Sequence, residues 1–282
     1  MKTKLIILAL LCAMFAPAKA GKIITDSLYS NTLKAYVKYN VYLPTGFDDS
    51  GKQYPTVYLL HGLYGCNEDW TKLGNTRLVA DELIGTGEAD EMVIIMPNAG
   101  GSDIHNIWNG YFNMPGWNYE DFFFNELIPT AEAKYRGIGD KQHRAVMGLS
   151  MGGGGCTVYC QHHPDKFAAC YAMSAWLDQE LPKMKDPNDK HYYTQLSVHD
   201  NSAIAFVENA TSQQVEQMRT VKWLFDCGDD DGLMYESVAI HKAMKQKKVK
   251  SELRINNGVH NWEYWHLALR KALPFASRSF GK

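Results

Sequence analysis

The stretch "HRAVMGLSMGGGGC", residues 143–156, joins a strand pattern to a glycine-rich segment, with Ser150 at the junction. "HRAVMG" is an apolar run typical of a buried strand, and "MGGGGC" can begin a helix directly after it. A serine on a sharp turn between a strand and a helix is typical of a nucleophile elbow, in which Gly148 and Gly152 leave room where side chains would clash. A Walker-type phosphate loop needs a Lys before a Ser or Thr, which is absent here. The context therefore favours a nucleophile.

Apolar runs similar to "HRAVMG" lie on both sides of this stretch. They alternate with two segments of helical period, at 118–136 and 232–248. Runs of this kind suit strands buried on both faces of a mostly parallel sheet. The alternation predicts a three-layer α/β fold with helices on both faces of the sheet. Residues 33–47 alternate at period two, as an antiparallel edge hairpin would. The further predicted strands are "PTVYLLHG" (55–62), "EMVIIMPN" (91–98), "FAACYAMS" (167–174), "VKWLFDCG" (221–228) and "SELRIN" (251–256).

The first 20 residues have the pattern of a signal peptide, with Lys2 and Lys4 before an apolar run and small residues at 18–20. The apolar run is shorter than the roughly 20 residues that span a bilayer. We expect cleavage after Ala20 and an exported protein, periplasmic or extracellular, with no membrane span. A lipoprotein anchored at Cys12 is the less favoured alternative, because Leu11 stands where a small residue is needed.

The remaining residues, 21–282, are enough for a single domain. We expect residues 179–220, which are polar and poor in strand patterns, to form a lid or substrate loop region. Loss of the leader's three lysines leaves 26 basic residues against 31 acidic ones, a net charge of −5. No basic run stands out, so nucleic acid is not an expected partner. The five remaining cysteines are irregularly spaced and predict no disulfide framework.

A serine hydroxyl needs a base, and that base needs an acid that orients it. Three carboxylates, Asp229, Asp230 and Asp231, follow the predicted strand at 221–228, and one of them can instead cap the next helix. His260 stands in a glycine-containing turn between a strand and a terminal amphipathic helix. The order Ser, Asp, His along the chain is that of α/β-hydrolases.

A tetrahedral intermediate also needs backbone N–H donors for its oxyanion. One is expected from Met151, directly after the serine. The turn "LLHGLYG", at the end of the predicted strand at 55–60, is of the kind that provides the second donor, and we assign that donor to Leu63.

Together these segments resemble the "putative esterase" family of α/β-hydrolases, which includes S-formylglutathione hydrolases of the esterase D type, bacterial feruloyl esterases and mycolyltransferases. The resemblance covers nearly all of the mature chain. It implies the α/β-hydrolase fold, with Ser150 as nucleophile and His260 as base, and it selects Asp231 because the family's acid lies three residues beyond the glycine of a Cys-Gly turn. The family often has Asp after the histidine; here Asn261 stands there, and we expect it to support the site indirectly. The segments that carry the resemblance are "YPTVYLLHGLYGCNEDW", "EMVIIMPN", "YEDFFFNELIPTAEAKY", "HRAVMGLSMGG", "HPDKFAACYAMSAWLD", "FDCGDDDGL" and "GVHNWEYWHLAL".

Other residues are candidates for metal ligands or cavity walls. Cys156 and Cys160, one helical turn apart and followed by two histidines at 162–163, are a conceivable zinc site, but core packing is the favoured interpretation and we expect no metal. Of the tryptophans that can wall a pocket, Trp176 and Trp262 are the favoured substrate-binding candidates because of their places after a strand and after His260. The other three are Trp108, Trp117 and Trp265.

The sequence therefore predicts an exported serine esterase that works through an acyl-enzyme without a cofactor. Export favours polysaccharide-linked esters, such as feruloylated or acetylated xylan. Two alternatives remain: an acyltransferase that uses a sugar acceptor, and a non-catalytic carbohydrate-binding protein on a hydrolase scaffold. A binding protein has no need of a complete Ser, Asp and His set, so this set favours an enzyme.

Overall fold

The computed structural model describes residues 20–281, so the predicted signal peptide, apart from Ala20, lies outside the described residues. The described chain forms ten strands: β1 (Lys22–Ser30), β2 (Ala35–Leu43), β3 (Thr56–Leu60), β4 (Val93–Pro97), β5 (Asn113–Met114), β6 (Trp117–Asn118), β7 (Arg144–Leu149), β8 (Ala169–Met173), β9 (Lys222–Gly228) and β10 (Ser251–Asn256). Eight of them form one sheet in the order β1-β2-β4-β3-β7-β8-β9-β10, and β5 pairs with β6.

Helices connect and cover these strands. Within the described range they are α1 (Phe47–Ser50), α2 (Asp69–Lys72), α3 (Thr76–Gly85), α4 (Tyr119–Phe122), α5 (Ile128–Lys134), α6 (Met151–His162), α7 (Lys190–Asp200), α8 (Ala203–Glu208), α9 (Ser212–Met218), α10 (Met234–Gln246) and α11 (Trp262–Ser277). None of the helices in residues 20–281 is both long and apolar enough to cross a membrane.

The predicted α/β fold with a mostly parallel sheet is confirmed. From β4 across to β10 every neighbouring pair is parallel, whereas β1, β2 and β4 pair antiparallel. The six predicted strands are all present. β1, which pairs with the predicted β2 segment, was not anticipated, because its exposed and half-buried residues give no continuous apolar run.

The sheet is buried on both faces, as the continuous apolar runs require. In β3, Tyr58 and Leu60 pack into the core on one face, whereas Val57 and Leu59 pack into the core on the other. The first core includes residues of α6 and α10, and the second includes residues of α3 and α11. Since successive strand side chains point to opposite faces, a strand in the middle layer favours apolar residues at most of its positions.

The helix predicted at 118–136 is interrupted. A π-helical turn at Phe123–Leu127 separates α4 from α5, and Pro129 occupies the first turn of α5. Proline has no N–H to donate to the carbonyl four residues earlier, so a regular α-helical ladder cannot run unbroken through this point. The apolar period alone did not reveal this break.

The segment predicted as a lid or substrate loop, 179–220, contains three helices and no strand. α8 and α9 bury apolar side chains in the core, including Val207 and Met218. α7 buries Val198 in the same core and also contributes to the cavity described below. Whether any part of this segment opens and closes as a lid stays a prediction.

Candidate active site

One edge of the sheet gathers the predicted site residues. Strands β3, β7, β8, β9 and β10 run parallel, so their carboxyl ends lie on the same side, where ligands of open α/β sheets bind. Each of the loops that follow these strands supplies one predicted site residue: Leu63, Ser150, Trp176, Asp231 and His260, respectively.

Ser150 lies on a strained turn between β7 and α6. Its backbone has φ 53° and ψ −119°, and a positive φ is unfavourable for a residue with a Cβ. The turn is held in place because the Ser150 N–H donates to the Met173 carbonyl at 2.9 Å, and the Ser150 carbonyl accepts from the Gly154 N–H at 3.0 Å. Strain that the surroundings maintain is characteristic of functional positions.

The two glycines of the Gly-x-Ser-x-Gly frame permit close backbone contacts. A Cβ at Gly148 would lie 2.3 Å from the carbonyl oxygen of Gly152. A Cβ at Gly152 would lie 2.6 Å from the carbonyl oxygens of Leu60 and His61. Glycine at both positions therefore lets α6 begin directly against β3 and β7.

The structure brings together the three predicted residues in one hydrogen-bonded chain. His260 Nε2 lies 3.0 Å from Ser150 Oγ, and His260 Nδ1 lies 2.8 Å from Asp231 Oδ2. Asp231 is buried, whereas Asp230 is exposed, and it is Asp231 that contacts the imidazole. Burial raises the pKa of the Asp231 carboxyl, but hydrogen bonds from His260 and the Leu233 N–H outweigh it and hold the pKa below its usual value. An ionised Asp231 can hold the Nδ1–H tautomer of His260.

The loop around His260 is fixed from two directions. The Trp265 ring packs nearly perpendicular to the imidazole, with ring centroids 4.8 Å apart. Asn261 is the N-cap of α11, and its side chain accepts the Tyr264 N–H at 3.0 Å. Asn261 stands where the family often has Asp. Both residues can cap a helix, so the capping side chain next to the histidine is kept.

The turn after β3 lies directly against the serine. A Cβ at Gly62 would lie 3.4 Å from Ser150 Cβ, so the Gly62–Leu63 peptide is beside the reactive turn. In residues 20–281 the Leu63 N–H donates to no protein acceptor. Met151 is the first residue of α6, and the first N–H groups of a helix have no intrahelical acceptor.

His61 orients this turn, which the sequence analysis did not anticipate. Its Nε2 accepts the Ala99 N–H at 2.9 Å, so Nδ1 carries the proton and donates to the Gly62 carbonyl at 2.8 Å. Burial lowers the pKa of His61, which keeps the ring neutral in this tautomer. Because the peptide is trans, fixing the Gly62 carbonyl on the buried side directs the Leu63 N–H to the opposite side.

A cavity of about 550 Å³ opens at Ser150 and His260. Both favoured tryptophans, Trp176 and Trp262, line it, and so does Trp265. The remaining lining residues are Gly62, Leu63, Tyr64, Asp69, Leu149, His191, Gln195 and Leu233. The walls are therefore largely aromatic and aliphatic, with a few polar groups, as in small-molecule sites.

Comparison with known proteins identifies the family. A family model described as "Putative esterase" matches residues 30–276. The chain belongs to this esterase family. The resemblance predicted from the sequence is thereby confirmed.

Individual relatives of the chain are named for different acyl chemistry. It is 31% identical over 179 residues to an endo-1,4-beta-xylanase/feruloyl esterase of Xylanibacter ruminicola, which covers 61% of this chain and 24% of that protein. It is 23% identical over 266 residues to the diacylglycerol acyltransferase/mycolyltransferase Ag85B of Mycobacterium avium, which covers 83% of this chain and 78% of that protein. The chain thus spans about a quarter of the length of the Xylanibacter protein.

Among solved structures, that of a ferulic acid esterase is similar over nearly the whole chain. The two are 46% identical, with a TM-score of 0.90, and the match covers 93% of this chain and 99% of that chain. The overall arrangement of strands and helices is therefore shared with a protein of that name.

Two of the five candidate tryptophans are not among the cavity-lining residues. Trp108 is covered by Lys190, whose Nζ lies 4.3 Å from the ring centroid. Trp117 stacks on Tyr119 with centroids 5.8 Å apart, and its Nε1–H donates to the Gly110 carbonyl. Both indoles have packing partners elsewhere, which agrees with the alternative of ordinary packing for these two candidates.

The cysteines and histidines of the conceivable zinc site do not converge. Cys156 and Cys160 are buried, and Cys156 Sγ lies 3.7 Å from Cys170 Sγ in the core. His162 and His163 instead both contact Glu120, at 3.0 and 3.1 Å. The five cysteines of the described chain are free, and no group of three potential ligand side chains in residues 20–281 is arranged to hold a metal ion.

Two polar residues of the cavity, His191 and Gln195, come from α7. They are one helical turn apart, so they share a face of the helix. Within the described chain neither side chain has a hydrogen-bond partner. Sequence analysis indicated only the segment that contains them, because nothing in the local pattern distinguishes these two from other polar residues of 179–220.

Proposed function

We propose that this protein is a serine esterase that hydrolyses carboxylic esters through an acyl-enzyme. The observation that carries the proposal is the hydrogen-bonded chain from Ser150 Oγ through His260 to Asp231, at the mouth of a largely apolar cavity. The family membership supports the same reaction class. If these three residues only packed in the core or capped a helix, there would be no need for a strained serine hydrogen-bonded to a histidine and, through it, to a buried aspartate.

In the proposed reaction, His260 Nε2 takes the proton of the Ser150 hydroxyl as its oxygen attacks the ester carbonyl carbon. The carbonyl oxygen becomes an oxyanion, which the Leu63 and Met151 N–H groups stabilise. Collapse breaks the bond to the alcohol oxygen, and His260 returns its proton to the leaving alcohol. Water then attacks the acyl-enzyme by the same route, which releases the acid and restores Ser150.

We infer that the acyl group is aromatic, of the hydroxycinnamoyl type, attached to a plant polysaccharide. Three cavity tryptophans offer flat apolar surface for a ring, and the likeness to a ferulic acid esterase and to part of a xylanase/feruloyl esterase supports this choice. Deacetylation of xylan is the second candidate. The similarity to a mycolyltransferase makes transfer of the acyl group to a sugar hydroxyl the third candidate.

We also propose that the protein is exported, as its N-terminal sequence pattern predicts. Mass spectrometry of the protein recovered from the periplasm or the medium would test this. A first residue at Gly21 is expected. An intact Met1 in the cytoplasm would contradict it.

The substrate is tested with the mature chain and its Ser150→Ala variant on methyl ferulate, acetylated xylan and p-nitrophenyl acetate. Release of ferulate by the wild type alone is expected. Activity confined to the acetyl substrates would shift the assignment to a deacetylase. Products esterified to an added sugar alcohol, in excess of free acid, would favour the transferase. No difference between the two proteins on any substrate would contradict the proposal.

A further inference from the structure

The loop that follows β8, residues 174–178, carries Trp176 into the cavity and is bound to the nucleophile turn. The Trp176 N–H donates to the Ser150 carbonyl at 3.0 Å. A Cβ at Gly154 would lie only 2.1 Å from the Trp176 carbonyl oxygen, so the loop lies against the first turn of α6. On this side the main chain of Trp176 is fixed by its neighbours.

On the other side, Glu236, from the first turn of α10, holds the two residues that follow Trp176. The loop has two further anchors: the Trp265 indole N–H donates to Ser174 Oγ at 3.0 Å, and the Ala203 N–H donates to the Leu177 carbonyl at 2.9 Å. Glu236 Oε2 accepts the Leu177 N–H at 2.5 Å and the Asp178 N–H at 3.1 Å. These are the two peptide groups that directly follow Trp176. A carboxylate that accepts two backbone N–H groups forms strong, charge-assisted hydrogen bonds and fixes both peptides at once.

Glu236 has no other hydrogen bond from its side chain within the described residues, and none to Ser150 or His260. Its carboxyl is half-buried, and burial raises its pKa to about 7, with the charges of Asp178 and Asp231 adding to the rise. Partial burial near two negative charges raises the free energy of an ionised carboxylate. The hydrogen bonds from the loop that carries Trp176 offset this unfavourable free energy.

We propose that Glu236 is a positioning residue for Trp176: it fixes the loop so that the indole keeps its place in the cavity wall, and it thereby sets the affinity for esters of bulky aromatic acids. This inference rests on the proposed function. Because Glu236 touches neither the reacting atoms nor the hydrogen-bonded chain of Ser150, His260 and Asp231, its loss affects binding rather than the rate of bond breaking. An acetyl group, which is too small to fill the cavity, depends little on the indole.

The test compares Glu236→Ala and Glu236→Gln with the wild type, and with Glu208→Ala, an exposed glutamate on α8, as the matched control. For Glu236→Ala we expect KM for methyl ferulate to rise about tenfold, with kcat and the KM for p-nitrophenyl acetate within about twofold. Glutamine can accept both N–H groups through its amide oxygen, so Glu236→Gln should keep wild-type values. Equal losses on the two esters, or no loss on either, would overturn the inference.

A second measurement does not depend on activity. Hydrogen exchange of the Leu177 and Asp178 amides should become at least tenfold faster in Glu236→Ala and remain slow in Glu236→Gln. If Glu236→Ala does not fold, Glu236→Asp, which withdraws the carboxylate by one methylene, takes its place. Unchanged exchange would overturn the positioning role. Absence of all ester hydrolysis in the wild type would instead refute the proposed function, and the exchange data would still decide the positioning of the loop.

Discussion

The main chains of Trp176 and Ser150 are joined by a hydrogen bond of 3.0 Å, from the N–H of the tryptophan to the carbonyl oxygen of the serine. The wall of the cavity and the candidate nucleophile are therefore parts of one rigid assembly of β7, β8 and α6. Because the bond is between backbone groups, it is independent of the side chain at 176. A change of Trp176 to a smaller residue should consequently reshape the cavity without moving Ser150.

Ser150 should be the residue that reacts with ester-like inhibitors. Treatment with a fluorophosphonate should add one adduct, which peptide mass spectrometry places on Ser150. Ser150→Ala should remain folded, because the hydroxyl is not needed to hold the turn, and it should lose at least about 10⁴-fold in kcat. Ser212→Ala, at an exposed position on α9, is the control and should keep full activity. Labelling at another serine would refute the assignment.

The acid should be Asp231 and not its neighbour. Asp231→Asn removes the charge that holds His260 Nδ1–H, so kcat should fall by about 10⁴-fold. Asp230→Asn changes an exposed side chain and should leave kcat within about threefold. Steady-state rates of the two variants on one p-nitrophenyl ester make the comparison. A larger loss for Asp230→Asn than for Asp231→Asn would show that the observed geometry is not the working one.

Gln195 should contribute to selection among aromatic acyl groups. Its amide has no protein partner in the described chain, so it is available to a polar ring substituent of the substrate. A site that hydrogen-bonds such a group discriminates against an analogue without it. Gln195→Leu should lower kcat/KM for methyl ferulate about tenfold relative to methyl cinnamate, which has an unsubstituted ring. An unchanged ratio would remove Gln195 from the recognition of the ring.

Gly152 should be intolerant of even one methyl group. A Cβ there would lie 2.6 Å from two backbone carbonyl oxygens, which cannot move without separating α6 from β3. Gly152→Ala should lower the free energy of unfolding by about 3 kcal/mol. The matched variant Gly85→Ala, on α3 with nothing within 4 Å of an added Cβ, should stay within about 1 kcal/mol of the wild type. Urea denaturation measures both, and similar values for the two variants would contradict the close approach.

Glu236 should make stability fall as pH rises. Its pKa is raised from 4.5 to about 7 in the folded protein, mainly by burial, so between these values the folded state holds a proton that the unfolded state has lost. In Glu236→Gln the side chain is an amide, which has no group that titrates in this pH range. The Tm of this variant minus that of the wild type should therefore increase from pH 4.5 to 7 and then level off. A difference that is constant with pH would contradict the raised pKa.

The sequence by itself determined the features that follow from local patterns. Continuous apolar runs identified the buried strands, because a strand covered on both faces favours apolar residues at most positions. The Gly-x-Ser-x-Gly frame at a strand-to-helix junction located the turn at Ser150, since only particular residues tolerate that backbone. The order of Ser150, Asp231 and His260 indicated the chemistry, although the residues alone left three aspartates open.

Only the tertiary structure decided which side chains meet. It separated Asp231 from Asp230 because one side chain is buried against His260 and the other faces solvent. It assigned Trp265 to the cavity and Trp108 to a packing role. It also showed that His61 and Glu236 hold the turns around Ser150. These outcomes depend on contacts between residues far apart in the chain, whose distances and directions follow from strand order and helix packing, and local periodicity carries no information about them.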